Sequence, residues 1–312
     1  MCIAVISTAH PAYSLIIINN RDEFLRRPTT PVDWWPEPSS HVLASRDMAR
    51  AERGTWMGVT KQGRIAILTN WHEQTNHQAV GACSRGAIVN SFLTMPPEST
   101  KSTSQFVDEM IATSMAKNVG GFSLVCGKVN EPLAILSNRA LNVDGITWIA
   151  QQKGETIGLS NTILGDRSWP KIIKGEQLVN DAIRAHVETE EEEEEDLIHQ
   201  LLDILNLDTL PKLKEGESQE SYIKLLRNSI FVPLIGGQGH DRNTHDKTVD
   251  KNQQVDQLAY YLQGPYGTQK QTVVLVSTSG RIRYFERTLF DDDTKPIPIG
   301  EGDRSFEFMV EQ

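Results

Sequence analysis

Two β-branched-rich runs open the chain, Cys2 to Ser7 and Tyr13 to Asn19, joined by Thr8-Ala9-His10-Pro11-Ala12. So short a connection suits an antiparallel hairpin and is too short for the crossover between parallel strands. The hairpin carries the polar cluster Asn20-Arg21-Asp22-Glu23 back towards Cys2. A thiol, a guanidinium and two carboxylates are therefore expected at one place. Removal of Met1 would leave Cys2 with its thiol and a free α-amine on one residue. Their reference pKa values, about 8.5 and about 7.7 to 8.0, lie near working pH. A neighbouring cation then favours the thiolate, and an N-terminal residue activated by its own amine is an established nucleophile. The competing reading makes Cys2 a small hydrophobe buried in an apolar strand.

The remaining chain repeats short strand-length runs. A loop rich in proline and tryptophan covers Pro28 to Ser40, and a hairpin is predicted from Arg53 to Val59 and Arg64 to Asn70 about Lys61-Gln62-Gly63. Helical spacing marks a stretch from Ser84 to Leu93 and another from Ser102 to Met115, closed by Gly120-Gly121. Strands are expected at Phe122 to Val129, Leu133 to Ser137, Ile146 to Ala150 and Glu155 to Leu159, then helices at Pro170 to Ala185 and Leu197 to Leu207. A last hairpin, Thr272 to Ser277 with Arg281 to Thr288, is expected to rejoin the sheet of the first. This order implies an α+β layered domain, mainly antiparallel, with 1–312 as one unit. The acidic run Glu190 to Asp196 and the polar stretch following Gly236 read as insertions, loops at about 188–196 and 236–257. The acidic run is expected to be solvated, or to extend the helix that follows it.

The formal net charge of −10 argues against nucleic-acid binding, which leaves a basic footprint. Three widely spaced cysteines, Cys2, Cys83 and Cys126, make no disulfide framework and suit a reducing compartment. No basic segment precedes the first apolar run and no run is long enough for a membrane span, so a cytoplasmic protein is expected. Few basic residues precede Arg21, which disfavours mitochondrial import, although mitochondrial association by an internal signal stays open. Neither His72, His77 and Cys83 nor His240 and His245 has zinc-site spacing, and no metal is expected.

Met1-Cys2, Asn20-Arg21-Asp22-Glu23, Gly54-Thr55-Trp56-Met57-Gly58, Leu68-Thr69-Asn70, Ser84-Arg85-Gly86, Gly158-Leu159-Ser160-Asn161, Trp169-Pro170-Lys171, Ser229-Ile230-Phe231 and Tyr266-Gly267-Thr268 stand in that order. Together they resemble the Transport and Golgi Organisation protein 2 family, or NRDE family. The resemblance implies a four-layer αββα sandwich of the N-terminal-nucleophile (Ntn) hydrolase type. It also implies links to Golgi organisation, secretion, haem delivery and acyl-CoA or lipid metabolism. By the same resemblance Cys2 matches the nucleophile, Arg21 the cation beside the thiol, Asp22 the carboxylate that orients the α-amine, and Asn161, with Asn70, the oxyanion donors. The family usually has an arginine and two serines after Tyr266-Gly267-Thr268, where Gln269, Lys270 and Gln271 stand here. Lys270 can replace that cation only in part, because it lacks the planar fork.

These residues support three functions. The leading one is handling of a small hydrophobic ligand, haem as cargo or an acyl-CoA, in support of Golgi organisation and secretion, with no required cofactor. Glu23, Trp56, Trp71, His72 and Lys270 are its candidate ligand-binding residues. The second is a Cys2-dependent amidohydrolase or thioesterase. The third is a non-enzymatic scaffold whose protein partners are unnamed by the sequence.

Overall fold

The strands β1 (Ile3–Ser7) and β2 (Tyr13–Phe24) carry continuous apolar runs, Ile3 to Ile6 and Leu15 to Ile18, because both faces are covered there, and β2 then continues through the polar cluster. Ala4, Ile6, Leu15 and Ile17 point into one core, while Ile3, Val5, Ile16 and Ile18 point into another. A computed structural model describes residues 1–72, 83–113, 119–139, 146–189, 193–212, 222–236 and 260–311.

The other strands are β3 (Asp33–Trp34), β4 (Val42–Ala44), β5 (Met57–Thr60), β6 (Arg64–Asn70), β7 (Phe122–Lys128), β8 (Leu133–Ser137), β9 (Thr147–Ile149), β10 (Thr156–Ser160), β11 (Tyr266–Ser277), β12 (Arg281–Thr288) and β13 (Asp303–Met309). The helices are α1 (Gly86–Leu93), α2 (Thr103–Ala112), α3 (Pro170–Glu188) and α4 (Glu194–Leu205), with a short 3-10 turn at Lys224–Asn228. One sheet runs β10-β1-β2-β11-β12-β13 and the second β3-β4-β5-β6-β7-β8-β9, and each described pairing is antiparallel.

The αββα sandwich expected from the family resemblance is the architecture found. Ile17, Ile65, Val125 and Val274 fill the space between the sheets. Helices α3 and α4 cover the outer face of the first sheet through Val179, Leu197, Leu201 and Leu205, and α1 and α2 cover the second through Val89, Phe92, Phe106 and Met110. The last hairpin does return to the first, since β11 pairs with β2.

Two features depart from the sequence reading, and a third decides between its alternatives. First, β10 does not follow β9 within one sheet but crosses to pair with β1, a change held by Thr8, which bonds to Gln152 and Glu155. Second, α2 stops at Ala112 rather than Met115; its start is fixed by a capping box between Ser102 and Gln105. Third, the end of the acidic run is the first turn of α4, where Glu194 pairs with Arg281 and Glu195 with Arg283. Helix extension is therefore the form its last three residues take. The polar loop at 236–257 falls almost wholly outside the described residues.

Candidate active site

Antiparallel register assembles the site. Ile3 stands opposite Asn20 on one side and Ser160 on the other, so Cys2, one residue earlier, lies between Arg21 and Asn161. The thiol of Cys2 donates to the carbonyl oxygen of Asp22 at 3.7 Å, and Ser160 Oγ donates to the Cys2 carbonyl at 2.6 Å. On the other side of β2, Thr268 stands opposite Asp22 and gives its hydroxyl proton to Asp22 Oδ1 at 2.7 Å.

The second carboxylate oxygen, Asp22 Oδ2, is 3.0 Å from the α-ammonium of Met1 and shielded from solvent. That ammonium also donates to the hydroxyl of Tyr266, and the Met1 carbonyl accepts from Lys171 Nζ. Burial lowers the pKa of the Met1 amine, with the Asp22 charge opposing it. The Cys2 thiol is pushed up by burial, against the pull of the chain's own ammonium and of Arg21. Lys171 is lowered by burial and supported by the negative charges of Asp22 and Cys2. Arg85, at the start of α1, is lowered to about 10 by burial, chiefly offset by Glu23 and with a smaller contribution from Cys2. Arg21 thus favours the thiolate, while Lys171 and Arg85 each gain a smaller support from the Cys2 charge.

Arg21 lies under the Trp56 ring, with its guanidinium carbon 4.4 Å from the centroid, and donates to Gln269 Oε1. Gln269 occupies an irregularity in β11 between Thr268 and Lys270, at the position where the family resemblance implies an arginine. A second guanidinium there would face Arg21; the amide oxygen instead accepts from it. Glu23 lies 3.9 Å from Arg21 and 3.7 Å from Arg27, and Asp47 holds Arg27 at 2.6 Å. Arg21 thus faces Glu23, while Asp22 serves the amine.

Asn161 is buried with Oδ1 lacking a hydrogen-bond partner among the described residues, and its carbonyl accepts from the backbone of His72 at 2.9 Å. Asn70 ends β6 opposite Phe122 and is half-buried. The Trp71 backbone bonds to Gly121, while the His72 ring meets Trp169 edge-on with centroids 6.4 Å apart. Lys270 is held elsewhere: its ammonium donates to Glu286 at 2.8 Å and to Thr288 at 3.0 Å, in the interior. Trp35 is core on the helix side of the second sheet, and Trp34 packs against Phe306 and Phe308. Among the described residues no group of three or more histidine, cysteine, aspartate or glutamate side chains is placed to hold a metal ion. Cys83 is exposed and free.

The family model for Transport and Golgi organisation 2 matches residues 1–291. The chain belongs to that family. The mouse Transport and Golgi organization 2 homolog is 26% identical over 294 residues, covering 91% of this chain and 89% of its own. The human homolog is 27% identical over 309 residues, covering 96% and 94%. The Drosophila melanogaster Transport and Golgi organization protein 2 is 28% identical, covering 94% and 91%. Among solved structures, the Caenorhabditis elegans N-acylethanolamine-hydrolyzing acid amidase ortholog is similar with TM-score 0.43, at 12% identity over 64% of this chain and 85% of that one. A conjugated bile acid hydrolase from Clostridium perfringens is similar with TM-score 0.42, at 9% identity over 99% and 98%.

The sequence reading missed Lys171, Arg85, Tyr266 and Thr268 as site residues. All four lie in quoted family blocks, Trp169-Pro170-Lys171, Ser84-Arg85-Gly86 and Tyr266-Gly267-Thr268. The signal was present, but single residues so far from Cys2 in sequence suggest no chemistry until the fold joins them.

Proposed function

We propose that the protein is a Cys2-dependent hydrolase of small acyl amides or thioesters, active once Met1 is removed. In the cell it would support the Golgi organisation for which its relatives are named, and secretion, from the cytoplasm. The observation that carries this reading is the burial of Asp22 against the chain's own α-ammonium, with the Asp22 carbonyl oxygen 3.7 Å from the Cys2 thiol. Without Met1, the free amine of Cys2 takes the thiol proton, and Asp22 orients that amine. The sulfur attacks the acyl carbon and the leaving amine or thiol departs with the proton. Water then releases the acid. Asn161, buried beside Cys2 in the strand register, would donate its side-chain N–H to the developing oxyanion.

The experiment is steady-state hydrolysis of acyl thioesters and amides by Met1-free protein. Cys2→Ala should abolish turnover and Cys2→Ser should reduce it steeply; equal activity in Cys2→Ala removes the proposal. A second reading, carriage of acyl-CoA or haem without turnover, is favoured for the chain that keeps Met1, because burial then holds the thiol protonated. That reading predicts saturable binding at micromolar ligand that is indifferent to Cys2→Ala.

A further inference from the structure

Met1 is seated as a ligand would be. A first residue is commonly loose, yet Met1 is 9% exposed and its side chain packs among Trp169, Ile172, Tyr222, Leu226 and Val232. Its carbonyl oxygen accepts from Lys171, whose side chain is fully buried. Among the described residues that oxygen is the hydrogen-bond acceptor Lys171 has. A buried ammonium without an acceptor is costly, so departure of Met1 would take from Lys171 its hydrogen-bond acceptor among the described residues and leave an apolar seat beside it, with the charges of Asp22 and Cys2 still near. The chemistry that satisfies both is an aliphatic chain ending in a carbonyl.

We propose that the seat of Met1 is an acyl subsite, opened by removal of Met1, which takes an unbranched acyl group with its carbonyl oxygen on Lys171. This rests on the hydrolase reading and names its substrate class. Methionine is unbranched, and its residue spans about six chain atoms from carbonyl carbon to terminal methyl, so a hexanoyl group has the matching length. The methionyl carbon is bonded to the Cys2 nitrogen, which places an acyl group in this seat beside the residue whose thiol receives it. Acyl transfer here forms the bond from Cys2 Sγ to the acyl carbon and breaks the bond to the leaving amine or thiol. The thiol proton leaves with that group by way of the Cys2 amine, and water later releases the acid. A chain that keeps Met1 carries its own plug.

The test compares Met1-free with Met1-bearing protein on acetyl, hexanoyl and dodecanoyl thioesters of N-acetylcysteamine, with hexanamide as a binding probe read by thermal shift on Cys2→Ala. Hexanoyl should exceed both other chains in kcat/KM by at least about tenfold, as expected for burial of several methylenes. Hexanamide should stabilise the Met1-free protein and leave the Met1-bearing form unchanged. Lys171→Met should remove the hexanamide shift. Leu226→Ala should move the chain-length optimum upward, a readout that a mere folding defect would not give. A flat chain-length profile, an optimum unmoved by Leu226→Ala, or an equal hexanamide shift with Met1 present would overturn the subsite. Turnover with a flat profile would leave the hydrolase standing without this subsite. Hexanamide binding without any turnover would support the subsite and remove the hydrolase.

Discussion

Replacing Lys270 by methionine should unfold the protein far more readily, because its ammonium neutralises a carboxylate that pairs with no other cation among the described residues. Lys270 and Glu286 lie 2.8 Å apart with side chains 1% and 2% exposed. Their attraction is about 6 kcal/mol at an effective dielectric near 20. Ser45 Oγ, at 2.6 and 2.9 Å, and the Val32 amide, at 3.2 Å, also donate to Glu286 and would remain in the variant. They supply hydrogen bonds but no charge. Breaking a buried pair from one side costs about 3 to 5 kcal/mol. With a urea m-value of about 3 kcal/mol/M, the midpoint should fall by roughly 1 to 1.7 M, followed by tryptophan fluorescence. The pair Lys270→Met with Glu286→Gln keeps an acceptor for Ser45 without the charge, and should recover most of the loss. A single variant that loses less than about 1 kcal/mol, or a double variant no better than the single, would refute the reasoning.

Gly86→Ala should cost about 1 to 3 kcal/mol by thermal melting, since an added Cβ would meet the Gly54 backbone at 2.9 Å with no flexible atom to yield. Acid should destabilise the protein through His10, which burial, aided by His186 and Lys153, lowers from 6.5 to about 4. Between these values the unfolded chain binds a proton that the folded one refuses, so stability falls as pH drops through this window. His10→Gln should lose about 2 to 3 kcal/mol less than the parent between pH 7 and 4.5 in urea unfolding. In Met1-free protein, Arg21→Gln should slow iodoacetamide alkylation of Cys2 at pH 7 and shift its pH profile upward, because a cation favouring thiolate is gone.

Much of the fold was legible because the central strands are covered on both faces and therefore read as uninterrupted β-branched runs. The site was legible for a related reason: a five-residue connection fixes the hairpin, and the hairpin delivers Arg21 and Asp22 to Cys2. Weakly marked elements escaped. β4 is three residues set in a proline-rich stretch, and β13 is an edge strand whose apolar signal is Phe306 and Phe308 among polar neighbours. The acidic run reads as solvated or as a helix extension, and the choice was not legible because Arg281 and Arg283, which pair with its helical end, lie nearly ninety residues away. Lys270 looked like a ligand cation because Glu286, its partner across the β11–β12 hairpin, can be assigned only once the register is known. Lys171 and Arg85 illustrate the converse, as isolated basic residues that become site groups through α3 and α1.

The central claim is that Cys2, freed of Met1, is an acyl-accepting nucleophile, and intact mass tests it most directly. Protein isolated from its own host would be weighed before and after exposure to hexanoyl thioester. The account predicts loss of the Met1 mass, then a hexanoyl adduct that maps to Cys2 and is absent in Cys2→Ala. Folded, Met1-free protein that gains no adduct and releases no hexanoic acid would contradict it.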